Sequence, residues 1–165
     1  MKDINVQFEI KRIVKSIQIL IRNADTIINY CFGPELQLNT NPAYFESILL
    51  NLITNAIKYK SPNRALIINI DLSKQGDFKI LTFGDNGLGI DLEKYESQLF
   101  GMYNTFHGNK DAKGLGLFIV NTQIEAMKGK IEVESTLNNG TTCMVFFPEP
   151  VVKEELIITS VRDIL

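Results

Sequence analysis

The sequence predicts a two-layer α+β sandwich. Three observations point there: three amphipathic segments with the three-and-four spacing of helices, six or seven short β-branched or aromatic runs that mostly pair as chain neighbours, and a length of 165 residues that suits one core. Residues 1–148 read as that domain and 149–165 as a C-terminal tail or linker. Apolar residues make up 45% and charged residues 22%, which excludes a disordered or low-complexity chain. The net charge of −2 gives no electrostatic case for a nucleic-acid partner. Cys31 and Cys143 stand far apart in apolar runs, so neither a disulfide framework nor a metal cluster is expected and a reducing cytosolic setting fits best. No run approaches the ~20 apolar residues that cross a bilayer, and the first residues lack the apolar stretch of a signal peptide.

The elements follow in order. Ile10, Ile13, Val14, Ile17, Leu20, Ile21 and Ala24 predict one helix over 8–23. Thr26 to Phe32 and Glu35 to Leu38, around Gly33-Pro34, predict a pair of short strands. Asn39-Thr40-Asn41 offers N-caps for a second helix with Pro42 in its first turn and Ala43, Phe45, Ile48, Leu49, Leu52, Ile53, Ala56 and Ile57 on its core face. Strands over 65–72 and 78–83 are joined by a turn at Lys74 to Asp77. Between Gly84 and Gly116 the glycines crowd at 84, 87, 89, 101, 108, 114 and 116, predicting a long mobile loop of functional character. A helix over 115–127 and a hairpin of 130–135 with 141–147 around Asn138-Asn139-Gly140 close the domain.

Four segments carry chemistry. Asn51, Asn55 and Lys58 share a helical face beside Tyr59, and carboxamides plus an ammonium suit a metal-bound polyphosphate. The other reading is a solvated polar stripe. Asp85-Asn86-Gly87-Leu88-Gly89-Ile90 follows a strand; an ionised carboxylate there accepts from an exocyclic amino group and opposes a guanine O6, selecting adenine. It is equally an ordinary turn. Lys113-Gly114-Leu115-Gly116-Leu117 opens a helix, where free N–H groups and the macrodipole attract an anion; a flexible loop with solvated lysines is the alternative. Gly140-Thr141-Thr142 could complete a base pocket, with an ordinary strand role for Thr142 as the plainer reading.

Asn51 to Tyr59, Asp85 to Ile90, Leu99 to Phe106 (LFGMYNTF), Gly114 to Leu117 and Gly140 to Thr142 resemble, in order and spacing, the N, G1, F, G2 and G3 boxes of the catalytic ATP-binding domain of bacterial two-component sensor histidine kinases. The resemblance covers Ile4 to Phe147, and Gly114 to Ser135 is similar to kinases with PAS or phytochrome-type sensor modules. It implies the Bergerat ATP-binding fold, a mixed, mostly antiparallel sheet packed on three helices with a mobile ATP lid. ATP and Mg2+ are the implied cofactors. By the resemblance, Asn55 holds Mg2+, Asn51 supports it, Lys58 meets phosphate, Tyr59 flanks adenine and Asp85 takes its amino hydrogen. Gly87 and Gly89 make room for the base and Ile90 belongs to the same box. Phe100 and Tyr103 pack the lid, Lys113, Gly114, Leu115, Gly116 and Leu117 close over the phosphates, and Thr141 with Thr142 joins the base pocket.

The implied reaction transfers the γ-phosphoryl group to a histidine on a separate dimerisation and phosphotransfer domain of the same kinase, for onward passage to a response-regulator receiver domain. The implied setting is cytoplasmic without direct membrane contact, whether or not the parent kinase is membrane-anchored. His107, the chain's one histidine, precedes Gly108-Asn109-Lys110 and lacks the acidic neighbour of the family's acceptor. Related gyrase-, chaperone- and mismatch-repair-type ATPases carry a water-activating Glu four residues before the metal Asn, where this chain has Asn51, and a carboxamide is no general base. A GHKL-type ATPase and a non-catalytic nucleotide-binding interaction domain remain the alternatives.

Overall fold

The computed structural model describes residues 1–30, 32–33, 36–101 and 115–151. Strand β1 (Lys2–Asn5) runs into helix α1 (Val6–Ser16), where the Asn5 side chain caps the helix by accepting from the Phe8 N–H at 2.9 Å. Val6, Ile10 and Ile13 bury one face. The helix expected over 8–23 starts earlier and breaks at Ile17, and α2 (Gln18–Asn23) follows. The break has a local cause: the Ser16 hydroxyl donates to the Ile13 carbonyl at 2.7 Å, competing for the acceptor that Ile17 N–H reaches only at 3.3 Å. Helix α2 buries none of its residues, so the apolar period continues there without a core to face.

The strands expected to pair with each other do not. Strand β2 (Thr26–Tyr30) pairs in parallel with β4 (Leu66–Gln75), while β3 (Gln37–Thr40) pairs antiparallel with β1. A parallel pair needs a long crossover, and α3 (Pro42–Lys58) supplies it. Strand β1 has little β-propensity of its own and is held by β3, including a bond from Asn39 Nδ2 to Asp3 Oδ1 at 2.8 Å. Strands β5 (Phe78–Asp85), β6 (Lys130–Thr136) and β7 (Gly140–Pro148) complete a sheet of order β2-β4-β5-β7-β6, antiparallel except at β2-β4.

Helix α3 is capped by Asn41, whose side chain accepts from Ala43 and Tyr44 N–H, with Pro42 at the first helical position. It packs between α1 and α5 (Gly116–Ala126). The core lies between this helical layer and the sheet: Ile10, Ile13, Phe45, Ile48, Leu49 and Ile53 from the helices face Leu66, Ile68, Leu81, Phe83, Val145 and Phe147 from the strands. The stretch expected to be a loop from Gly84 onward contains a short helix, α4 (Leu92–Tyr95), capped by Asp91, and a 3-10 turn at Glu96–Gln98. Leu99 is buried and Phe100 packs against the core. Among the described residues no helix is long and apolar enough to cross a membrane.

Phe45 on α3 and Phe147 on β7 join the layers with ring centroids 6.2 Å apart. Phe45→Ala is expected to cost ~3–5 kcal/mol, measured as a lowered midpoint in urea unfolding with an unchanged slope.

Candidate functional site

One end of the sandwich collects the residues singled out in the sequence: the last turn of α3, the end of β5, the start of β7 and the first turn of α5. Asp85 is the last residue of β5 and lies opposite Thr141 in the β5–β7 ladder. Its Oδ1 accepts from the Gly87 N–H at 2.8 Å, and a Thr141 backbone N–H also donates to the carboxylate. Burial nevertheless wins over these donors and pushes the Asp85 carboxyl above its ordinary value. A half-buried carboxylate with no salt bridge among the described residues is costly for the fold alone and is the kind of group that functional sites contain.

The segment after Asp85 is pinned on every side. Asn86 extends the ladder with its side chain, accepting from Ile67 N–H at 2.8 Å and donating to the Ala65 carbonyl at 3.0 Å. Leu88 N–H donates to the Tyr59 carbonyl at 2.9 Å, tying the loop to the C-terminal end of α3. Ile90 N–H donates to Ser135 Oγ at 2.7 Å, and that hydroxyl also meets the Gly140 carbonyl and Thr141 Oγ1. Gly89 has φ +71, and a Cβ there would lie 2.1 Å from the Thr136 carbonyl oxygen, so glycine is required. At Gly87 a Cβ would lie 2.7 Å from the Tyr59 carbonyl oxygen. What these two glycines accommodate directly is neighbouring backbone.

Tyr59 ends α3 half-buried, with its phenol pushed up by burial, and Lys58 is exposed in the last helical turn. Asn55 stands against the opening of α5: a Cβ on Gly116 would fall 2.7 Å from Asn55 Nδ2 and 3.0 Å from Oδ1. The carboxamide is therefore set beside the first N–H groups of an 11-residue helix. Leu115 and Leu117 flank that turn. Asn51 turns elsewhere. Its Nδ2 donates to the Ser47 carbonyl at 2.8 Å, and it lines a cavity of about 310 Å³ with Ala43, Glu46, Ser47, Leu50 and Thr54. Thr142 sits in the ladder opposite Gly84. Tyr103, His107, Lys113 and Gly114 lie outside the described residues.

The donors offered to a hard cation here are few, and among the described residues no group of three or more His, Cys, Asp or Glu converges. Such a set fits Mg2+, which keeps several waters and is commonly shared between one or two protein oxygens and substrate phosphates. Among the described residues the Asn55 oxygen could serve as a protein ligand. Sequence reasoning gave no role to Ser135, to Asn86 within its segment, or to Arg64, whose guanidinium donates to the Asn86 and Gly87 carbonyls. Only Asn86 had a signal, its place between Asp85 and Gly87.

A family model described as histidine kinase-, DNA gyrase B-, and HSP90-like ATPase matches residues 40–151. The sensor protein RprX of Bacteroides fragilis is 35% identical over 118 residues, covering 66% of this chain and 23% of that protein. The signal transduction histidine-protein kinase ArlS of Staphylococcus epidermidis is 30% identical over 150 residues, covering 89% of this chain and 32% of that protein. The chain thus spans a third or less of the length of either relative. The structure of full-length ShkA in complex with AMPPNP shares the fold, with a TM-score of 0.76 at 20% identity over 89% of this chain and 30% of that one.

Two glycine substitutions separate site from scaffold. Gly116→Ala meets only the side chain of Asn55, so unfolding free energy should stay equal or rise by up to ~1 kcal/mol from better helix propensity, while the Asn55 side-chain amide resonances shift in an 15N-correlated spectrum. Gly89→Ala meets backbone in a left-handed conformation and should lower stability by more than the ~1–2 kcal/mol of that conformation alone.

Proposed function

The chain belongs to the histidine kinase-, DNA gyrase B- and HSP90-like ATPase family, and from that premise we propose that it is the catalytic module of a sensor histidine kinase. In this reading it binds Mg-ATP and transfers the γ-phosphoryl group to a histidine on a separate dimerisation and phosphotransfer domain of the same kinase. A response-regulator receiver domain is the onward acceptor. Of the two matched relatives one is a sensor protein and the other a signal transduction histidine-protein kinase, and one structural neighbour is a complex with AMPPNP, an ATP analogue.

The observation that carries the reading is the Asp85 carboxylate, half-buried at a strand end with one oxygen oriented by Gly87 N–H. As an acceptor-only group it takes the adenine amino hydrogen and opposes a guanine oxygen. Tyr59 offers an aromatic wall beside it, with Gly87, Gly89, Ile90, Thr141 and Thr142 around the base. At the phosphate end Asn55 ligates Mg2+, Lys58 meets phosphate oxygens as a point charge, and the opening of α5 from Leu115 through Leu117 presents N–H groups. Bound Mg2+ supplies charge neutralisation on the phosphates. Phosphoryl transfer asks the protein mainly for positioning and charge stabilisation, which is what these neutral and cationic side chains can give. Phe100, Tyr103, Lys113 and Gly114 are assigned to the lid, and Asn51 to support of the metal residue.

Transfer is favoured over hydrolysis by the groups near Asn51. A carboxamide stands where a water-activating Glu is needed, and it is turned to the Ser47 carbonyl. Glu46 Oε2 is paired with Arg12 at 2.8 Å. Neither serves as a base toward water at Asn55.

Asp85→Asn should weaken ATP binding by about 10- to 100-fold, the equivalent of one charge-assisted hydrogen bond at ~1.5–3 kcal/mol, read by titration with a fluorescent nucleotide. The pH dependence has a defined sign. Because burial raises the Asp85 carboxyl above the usual value of about 3.9, the ionised acceptor is lost at a higher pH on acidification. ATP affinity should therefore fall earlier than an ordinary aspartate would dictate, and Asp85→Asn should flatten that acid limb. With γ-labelled ATP, addition of a cognate histidine phosphotransfer domain should yield acid-labile phosphohistidine. Steady phosphate release without that domain would point to the ATPase alternative, and binding with neither outcome to a non-catalytic domain.

A further inference from the structure

We propose that Arg64 is a positioning residue for the nucleotide base, acting through the backbone that orients Asp85; this rests on reading the Asp85 end as an adenine site. Arg64 lies in the connection between α3 and β4. Its Nε donates to the Asn86 carbonyl at 2.7 Å and its Nη2 donates to the Gly87 carbonyl at 2.8 Å and to the Asn138 carbonyl. One planar, permanently charged group thus joins the two chain segments that frame Asp85, the loop after β5 and the turn between β6 and β7.

Gly87 is the link. Its carbonyl is gripped by Arg64 while its N–H donates to Asp85 Oδ1. The Asn86 carbonyl held by Arg64 Nε belongs to the same peptide unit as the Gly87 N–H, so gripping it fixes the plane that aims this N–H at the carboxylate, while the Nη2 bond to the Gly87 carbonyl fixes the next peptide. The second segment is locked in the same place, because Asn138 N–H donates to the Leu88 carbonyl at 2.7 Å. The guanidinium therefore closes a ring that runs from Arg64 through Gly87 and Leu88 to Asn138 and back. Among the described residues no salt bridge engages Arg64; its bonds go to backbone carbonyls, which a lysine cannot span with a single ammonium. Arg64 is also exposed at the protein surface, so its removal leaves no cavity in the core.

The test compares wild type, Arg64→Ala and Arg64→Lys. In the nucleotide-free protein, amide hydrogen exchange at Gly87 and Leu88 should rise by about tenfold or more in Arg64→Ala while the β4–β5 core amides stay unchanged. In binding, Arg64→Ala should weaken ATP by about 5- to 30-fold and weaken GTP, which does not use the Asp85 acceptor, far less, so that ATP-over-GTP discrimination falls. In phosphotransfer, KM for ATP should rise with kcat at saturation within about twofold, since the phosphate end is untouched. Arg64→Lys should recover little of the loss. Unchanged exchange at Gly87 and Leu88, equal losses for ATP and GTP, a fall in kcat at constant KM, or full rescue by lysine would each overturn the proposal. Wild-type protein that fails to bind ATP would instead sink the reading of the site, and the exchange measurement, which needs no nucleotide, still judges Arg64.

Discussion

The pairing of β5 with β7 is the constraint on which the rest of the site depends. Leu81 and Phe83 on one strand and Val145 and Phe147 on the other are buried against the helices, and a slip of one residue would turn all of them to the opposite face. The core thus sets the register, and the register puts Asp85 opposite Thr141. Gly140 begins β7 so close to β5 that any side chain there would strike the Asp85 carbonyl. Apolar packing at the middle of the ladder therefore determines the chemistry at its end.

From that end the loop after Asp85 is built almost wholly of backbone and short side-chain bonds. Tyr59, Ser135, Asn138 and the β4 backbone each hold one residue of it. This rigidity has a purpose on the proposed reading. A buried carboxylate gains selectivity for a donor only if it cannot swing away from the wrong partner, and burial raises the cost of leaving it unmatched. Burial also raises the affinity of Asp85 for protons, so on that reading discrimination and acid sensitivity would share one cause.

Much of the scaffold was legible in the sequence because local signals agreed with tertiary need. Helix α3 has its cap at Asn41, its Pro42 start and an apolar face that is buried along its length. The break between α1 and α2 was not legible, because the apolar period runs on past Ile17 while the deciding event is a Ser16 hydroxyl bond. Strand β1 and the parallel placement of β2 were hidden for another reason: both are fixed by partners 30 to 40 positions away, and neighbour-pairing rules favour a hairpin. At the candidate site, the side chains proposed to act through their own chemistry, Asn55 and Asp85, stood out by type and spacing. Arg64 and Ser135 did not, since their partners are largely backbone atoms, and a carbonyl leaves no mark on residue identity.

Asn51 and Asn55 show why spacing alone cannot assign a role. They are one turn apart on α3 and share a face by helical geometry, yet Asn51 donates back to Ser47 and borders a cavity, whereas Asn55 meets the first turn of α5. What separates them is the element each one faces. Gly116 lets α5 approach Asn55 closely enough to leave its carboxamide beside free helix N–H groups, and nothing comparable stands over Asn51. The Asn51 side chain is an amide bonded to its own helix, and the nearby Glu46 is committed to Arg12. On the proposed reading, neither the Asn51 amide nor Glu46 is free to act on water, which is consistent with a nucleophile delivered from outside the chain.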